Sequence, residues 1–153
     1  MGDVVAQSIE IDAPIAEVWD LVMDPERLGE WVSIHRSVSD MPKGDLKKGS
    51  RFRQEMKLKG VPLKVKWEVV ECVRPTQARW QGKAGAGAKA RISYDLTEHD
   101  GKTRFDYENE FELPAGKVGK LAGRAFNAMS GDREAKRSLA RLKKLLENGQ
   151  SDS

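Results

Sequence analysis

Residues 61–69 alternate without a break, with Val61, Leu63, Val65, Trp67 and Val69 on one face and Pro62, Lys64, Lys66 and Glu68 on the other. A period of two marks a strand with one buried face. Residues 88–96 repeat the pattern, setting Ala88, Ala90, Ile92, Tyr94 and Leu96 against Lys89, Arg91, Ser93 and Asp95. Residues 103–113 do so again, with Phe105, Tyr107, Asn109, Phe111 and Leu113 against Arg104, Asp106, Glu108, Glu110 and Glu112. Shorter versions occupy 4–11, 33–40, 50–57 and 77–83. The joints carry turn residues: Lys59-Gly60, Arg74-Pro75-Thr76, a Gly-Ala run and His99-Asp100-Gly101. Such short joints imply antiparallel neighbours.

Two regions step by three and four instead. In the first, Pro14 suits an early helical position after Asp12, Val18, Leu21 and Val22 form a face, and Asp24-Pro25 divides two short helices before Trp31. In the second, Val118, Leu121, Ala122, Ala125, Ala128, Met129, Ala135, Leu139, Leu142 and Leu146 predict one long amphipathic helix over about 117–146. The polar residues 148–153 predict a frayed tail. Residues 1–147 read as a single α+β domain, with no linker and no internal repeat. Its seven-stranded antiparallel sheet has a dry face that only the long helix is large enough to cover. That helix is uneven, with bulky Leu139, Leu142 and Leu146 in its second half but Gly119, Ala122, Gly123, Ala125 and Ala128 in its first. Either the helix lies close to the sheet there, or a cavity separates them.

Composition narrows the class. The chain has 153 residues, 39% of them hydrophobic and 33% charged, and no apolar run approaches the roughly 20 residues of a membrane helix. With no visible secretory signal and a lone Cys72 set among strand residues, a cytoplasmic protein with an inert buried thiol is expected. Lys plus Arg number 27 and Asp plus Glu 24, for a net charge of +3. That is too balanced to predict nucleic-acid binding. Basic residues gather between Lys43 and Lys66, while Asp106, Glu108, Glu110 and Glu112 form an acidic strand, so a solvated sheet face with cross-strand charge pairs is expected. The stretch GKAGAGAK at 82–89 approaches a P-loop, but Ala88 stands at the lysine position and a strand follows where a helix is required. Two histidines and one cysteine cannot supply a structural zinc set. No cofactor and no metal are expected.

The segments SIEIDAPIAEVWDLVMDPERLGEW at 8–31 and SLARLKKLLE at 138–147 resemble the START-like (SRPBCC) superfamily, the helix-grip group that includes Bet v 1-like and polyketide cyclase/dehydrase proteins. The resemblance implies a curved antiparallel sheet gripping the long helix around a cavity for hydrophobic ligands. On the period-two faces, the cavity wall is expected to comprise Phe52, Gln54, Met56, Leu63, Trp67, Trp80, Tyr94, Tyr107 and Asn109, with Leu121, Ala125, Phe126 and Met129 from the helix. The ligand is then a lipid, isoprenoid or polyketide, carried by a monomer or weak homodimer without stable membrane insertion. An aromatase/cyclase or dehydratase is the alternative, with Arg36, Tyr94 and Tyr107 as candidate donors; His35 is read as a surface or satisfied side chain, with an inward turn of His35 or its neighbour Arg36 as the alternative. A third reading is an interaction module that uses the basic 43–66 region on an acidic partner.

Overall fold

The computed structural model describes residues 3–58, 61–84, 87–112 and 132–151. Seven strands form one sheet: β1 (Asp3–Ile11), β2 (His35–Ser39), β3 (Arg51–Leu58), β4 (Val61–Val73), β5 (Gln77–Ala84), β6 (Lys89–His99) and β7 (Lys102–Glu112). The order is β1-β7-β6-β5-β4-β3-β2, antiparallel throughout. The alternation read from the sequence sets the inner face: Val65, Trp67 and Val69, then Ala88, Ala90, Tyr94 and Leu96, are all buried. Asp100 and Gly101 both take positive φ, 53° and 78°, as a two-residue hairpin between β6 and β7 requires.

β1 and β2 lie at opposite edges of the sheet, so the chain between them must cross it. That crossing is made by α1 (Ile15–Val22), a 3-10 turn (Pro25–Arg27) and α2 (Leu28–Trp31). Val18, Trp19, Leu21 and Val22 of α1 are buried, as are Leu28 and Trp31 of α2. The corner at Asp12-Ala13-Pro14 is pinned by distant side chains. The Asp12 amide donates to Glu147 Oε2 (2.9 Å), Thr103 Oγ1 donates to the Ala13 carbonyl (2.8 Å), and the Ile15 amide donates to Glu98 Oε2 (2.9 Å). Pro14 offers no side-chain cap, so Glu98 of β6 satisfies one of the free amides at the start of α1.

The last helix, α3 (Asp132–Ser151), buries Ala135, Leu139, Leu142 and Leu146. It runs on to Ser151, so residues 148–151 are helical and not the frayed tail expected from their polarity. Residues 117–131, including the small-residue stretch and Leu121, Ala125, Phe126 and Met129, lie outside the described residues. Lys143 Nζ donates to the Glu10 carbonyl (2.7 Å) and pairs with Glu147, tying α3 to β1.

Gly82 is a point of close approach within the sheet. A Cβ there would lie 2.5 Å from Val65 Cγ1 and 2.8 Å from the Trp67 ring. The first residue of GKAGAGAK is thus glycine because the Trp67 indole occupies the place of its side chain, not to admit a phosphate. The other described residues of that stretch join β5 to β6, with the Ala84 amide donating to the Ala88 carbonyl (2.8 Å).

Candidate functional site

An aromatic belt crosses the inner face from β3 to β7. Phe52 packs on Trp80 (5.3 Å between centroids), Trp67 on Trp80 (5.9 Å) and Trp80 on Tyr94 (5.4 Å). Tyr94 in turn meets Phe105 (5.2 Å), Tyr107 (5.9 Å) and, from α2, Trp31 (6.2 Å). Most pairs are tilted or edge-to-face, the geometry that brings a positive ring edge to a negative ring face. Between this belt, the stretch from α2 into β2, and the start of α3 lies a cavity of about 50 Å³. It is far smaller than the roughly 300–1,000 Å³ of a site that encloses a drug-sized molecule.

Of the residues the sequence assigns to the wall, Gln54, Met56, Trp67, Trp80, Tyr94, Tyr107 and Asn109 line this cavity. Phe52 is buried behind it against Trp80, and Leu63 is half-buried at a position that does not reach it. Arg36, offered as a donor, is exposed and takes no part in the wall; its neighbour His35 is the one that turns in. A bulge between His35 and Ser37 breaks the alternation of β2 and makes that choice. The alternation of the longer strands does not reveal Trp31, Ser33, Glu134 and Ser138, which also line the cavity. Ala135 was placed on the apolar helical face by its spacing, and Ser138 stands three residues, nearly one turn, beyond it.

Three sets of polar contacts shape the site. Trp67 Nε1 donates to Gln54 Oε1 (2.8 Å), and the Gln54 amide nitrogen lies 2.9 Å from His35 Nδ1. Asn109 Nδ2 donates to the Tyr107 hydroxyl (2.9 Å). At the edge of the cavity Ser33 bridges to α3: its amide donates to Ser138 Oγ (3.1 Å), its hydroxyl donates to the Glu134 carboxylate, and the Ser138 hydroxyl donates to Ser33 Oγ (3.4 Å). Three polar atoms on the wall have no partner among the described residues, namely Trp31 Nε1, Trp80 Nε1 and Asn109 Oδ1. The parent residues are 1%, 1% and 8% exposed.

Burial raises the Tyr94 hydroxyl well above its ordinary pKa, reinforced by the neighbouring Tyr107. Burial also raises Tyr107, against the opposing hydrogen bond from Asn109. Both phenols are therefore neutral hydrogen-bonding groups near neutral pH, suited to holding an oxygen atom and unsuited to act as bases. Away from the cavity, burial pushes the Cys72 thiol up, which disfavours the reactive thiolate. Among the described residues no helix is long and apolar enough to cross a membrane, and no cluster of three or more His, Cys, Asp or Glu is placed to hold a metal.

A family model described as polyketide cyclase / dehydrase and lipid transport matches residues 3–147. A Mycobacterium tuberculosis protein named Toxin Rv0910 is 26% identical over 123 residues, which are 79% of this chain and 85% of that protein. Among solved structures, TTHA0849 from Thermus thermophilus superposes with a TM-score of 0.76 at 17% identity, covering 96% of this chain and 99% of that one. A START superfamily protein from Mycobacterium smegmatis gives 0.72 at 12% identity, covering 95% and 97%. Ara h 8.0201 gives 0.66 at 10% identity, covering 97% and 99%. At these identities the structures establish the helix-grip fold shared with START and Bet v 1-like proteins.

Proposed function

The chain belongs to the polyketide cyclase / dehydrase and lipid-transport family, and on that premise we propose that it binds an oxygen-bearing hydrophobic small molecule against the aromatic belt. The observation that carries this reading is the set of unpartnered atoms Trp31 Nε1, Trp80 Nε1 and Asn109 Oδ1 on a wall whose Gln54, Tyr107, Ser33, Glu134 and Ser138 side chains are already hydrogen-bonded. Leaving a buried polar atom unpaired costs about 1–3 kcal/mol. Two indole donors and one amide acceptor complement a ligand that brings carbonyl or ether oxygens and a hydroxyl, and a saturated acyl chain offers none of these over most of its length. The flat faces of Trp80, Tyr94 and Tyr107 suit a ring system.

A cavity of about 50 Å³ must widen to admit such a molecule. The Ser33 bridge to Glu134 and Ser138 is the contact that has to yield, because it ties the stretch between α2 and β2 to α3 beside the cavity. Binding energy therefore has to offset the loss of those hydrogen bonds.

The test is a ligand panel of hydroxylated polycyclic aromatics, isoprenoid alcohols and saturated fatty acids, read by thermal shift and by mass spectrometry of molecules that copurify. The oxygenated ring compounds should raise the melting temperature, and Asn109→Leu should remove most of that shift while leaving the unliganded protein folded. Preferential binding of saturated fatty acids, or a shift unchanged in Asn109→Leu, would overturn the reading. Turnover of a bound polyketide-like compound that falls more than its binding in Tyr94→Phe or Tyr107→Phe would instead identify a cyclase or dehydratase.

A further inference from the structure

The outer face of the sheet carries an unrelated arrangement. Arg53 of β3 stands directly opposite Lys66 of β4, Lys66 opposite Lys83 of β5, and Lys83 opposite Lys89 of β6. All four side chains are exposed. Neighbouring strands lie about 4.8 Å apart, so the row is about 14 Å long. Only its ends are compensated, Arg53 by Asp40 at 2.9 Å and Lys89 by its cross-strand position opposite Glu112. Lys66 and Lys83 form no ion pair among the described residues.

The rows on either side are built differently. On one side Arg51 meets Glu68 at 3.5 Å and Arg91 meets Glu110 at 3.9 Å. On the other, Glu55 stands opposite Lys64. Like charges facing each other across a sheet weaken it, and this sheet avoids that in the adjacent rows. The acidic strand expected to balance these cations reaches only Lys89, through Glu112, because β7 is separated from β4 by β5 and β6. Hollows of about 550 and 610 Å³ flank the row, and Arg53, Lys66 and Lys83 border both.

We infer that this row docks an extended acidic segment of a partner protein. An extended chain places alternate side chains about 6.6 Å apart. Three carboxylates in an alternating pattern therefore span the four cations. The flanking rows are balanced, with Glu55, Glu68 and Glu110 set against Lys64, Arg51 and Arg91, so the uncompensated charge is confined to one line the width of an extended chain and not spread over a flat face as a membrane would use. Among the described residues no exposed aromatic stands beside the row to stack bases, and the exposed large hydrophobics are Val73 and Leu145, neither of them next to it.

The test is titration of the whole protein at low ionic strength with a fluorescent peptide of alternating Glu and Ser. Parallel titrations use phosphatidylglycerol-containing vesicles and single-stranded oligothymidine. Peptide binding should weaken with salt and fall about tenfold or more in Lys66→Glu/Lys83→Glu. It should persist in Arg137→Gln/Lys144→Gln, two exposed cations of α3. Lys66→Gln/Lys83→Gln should lose the peptide while melting at or above the parent temperature, because it removes repulsion and no packing. Absence of peptide binding, equal binding by the row variants, lower melting of the Gln pair, or tighter binding of vesicles or oligonucleotide would each overturn the inference.

Discussion

Trp67, Gln54 and His35 form a chain in which each partner fixes the next. An indole N–H only donates, so Gln54 must present Oε1 to Trp67 and its NH₂ to His35. His35 Nδ1 can then only accept, and the ring is neutral with its proton on Nε2. A second proton on Nδ1 would set two donors face to face, and burial lowers the His35 pKa from its ordinary 6.5 in the same direction. The unfolded chain therefore binds a proton at pH values where the folded one does not. The resulting stability is present in full above 6.5 and is lost as pH falls through the lower folded value. Urea melts at stepped pH should show a midpoint that declines below 6.5 in the parent and declines less in His35→Gln; parallel declines would refute the assignment. Gln54 was legible in the sequence, because β3 alternates cleanly. The inward turn of His35 was not, because the bulge in β2 leaves the choice between residues 35 and 36 to tertiary packing.

Among the elements, α3 shows how far periodicity reaches. Leu139, Leu142 and Leu146 recur at helical spacing and are 3%, 0% and 9% exposed, while Leu145, turned about 100° around the helix from Leu146, is 37% exposed. Leu142→Ala should lower the unfolding free energy by about 2–5 kcal/mol, the range for emptying a packed leucine site. Leu145→Ala should stay within about 0.5 kcal/mol of the parent. Chemical denaturation of the two variants side by side checks the face assignment, and similar losses would refute it. The last turn of α3 escaped the pattern because no apolar residue after Leu146 marks it. Contacts such as Ser33 with Glu134 were equally illegible. They join short polar residues far apart in the chain, and nothing in either local pattern singles them out.

At the scale of the whole molecule, β3 to β6 serve two faces through the same alternation. Trp67 looks into the cavity while Lys66 looks out, and Tyr94 lies on the inner face of the strand whose Lys89 ends the cation row. The seven-stranded antiparallel sheet and its inner face followed from the period of two, since burial of one face is a local property of each strand. The cation row did not, because it depends on strand order and register, which only the folded sheet sets. The shared strands raise the question of whether the two faces communicate. Coupling would need an element with two arrangements that both sites bias, whereas the paired strands β3 to β6 present a single register to both faces. The two binding events should therefore be independent: Lys66→Gln/Lys83→Gln should change affinity for an oxygenated ring ligand by less than about 0.5 kcal/mol, the scatter expected for uncoupled sites. Calorimetric titration of ligand into parent and variant, with and without saturating acidic peptide, measures this directly. A larger reciprocal shift would mean that opening the cavity deforms β4 and β5, and that occupancy on one face is read on the other.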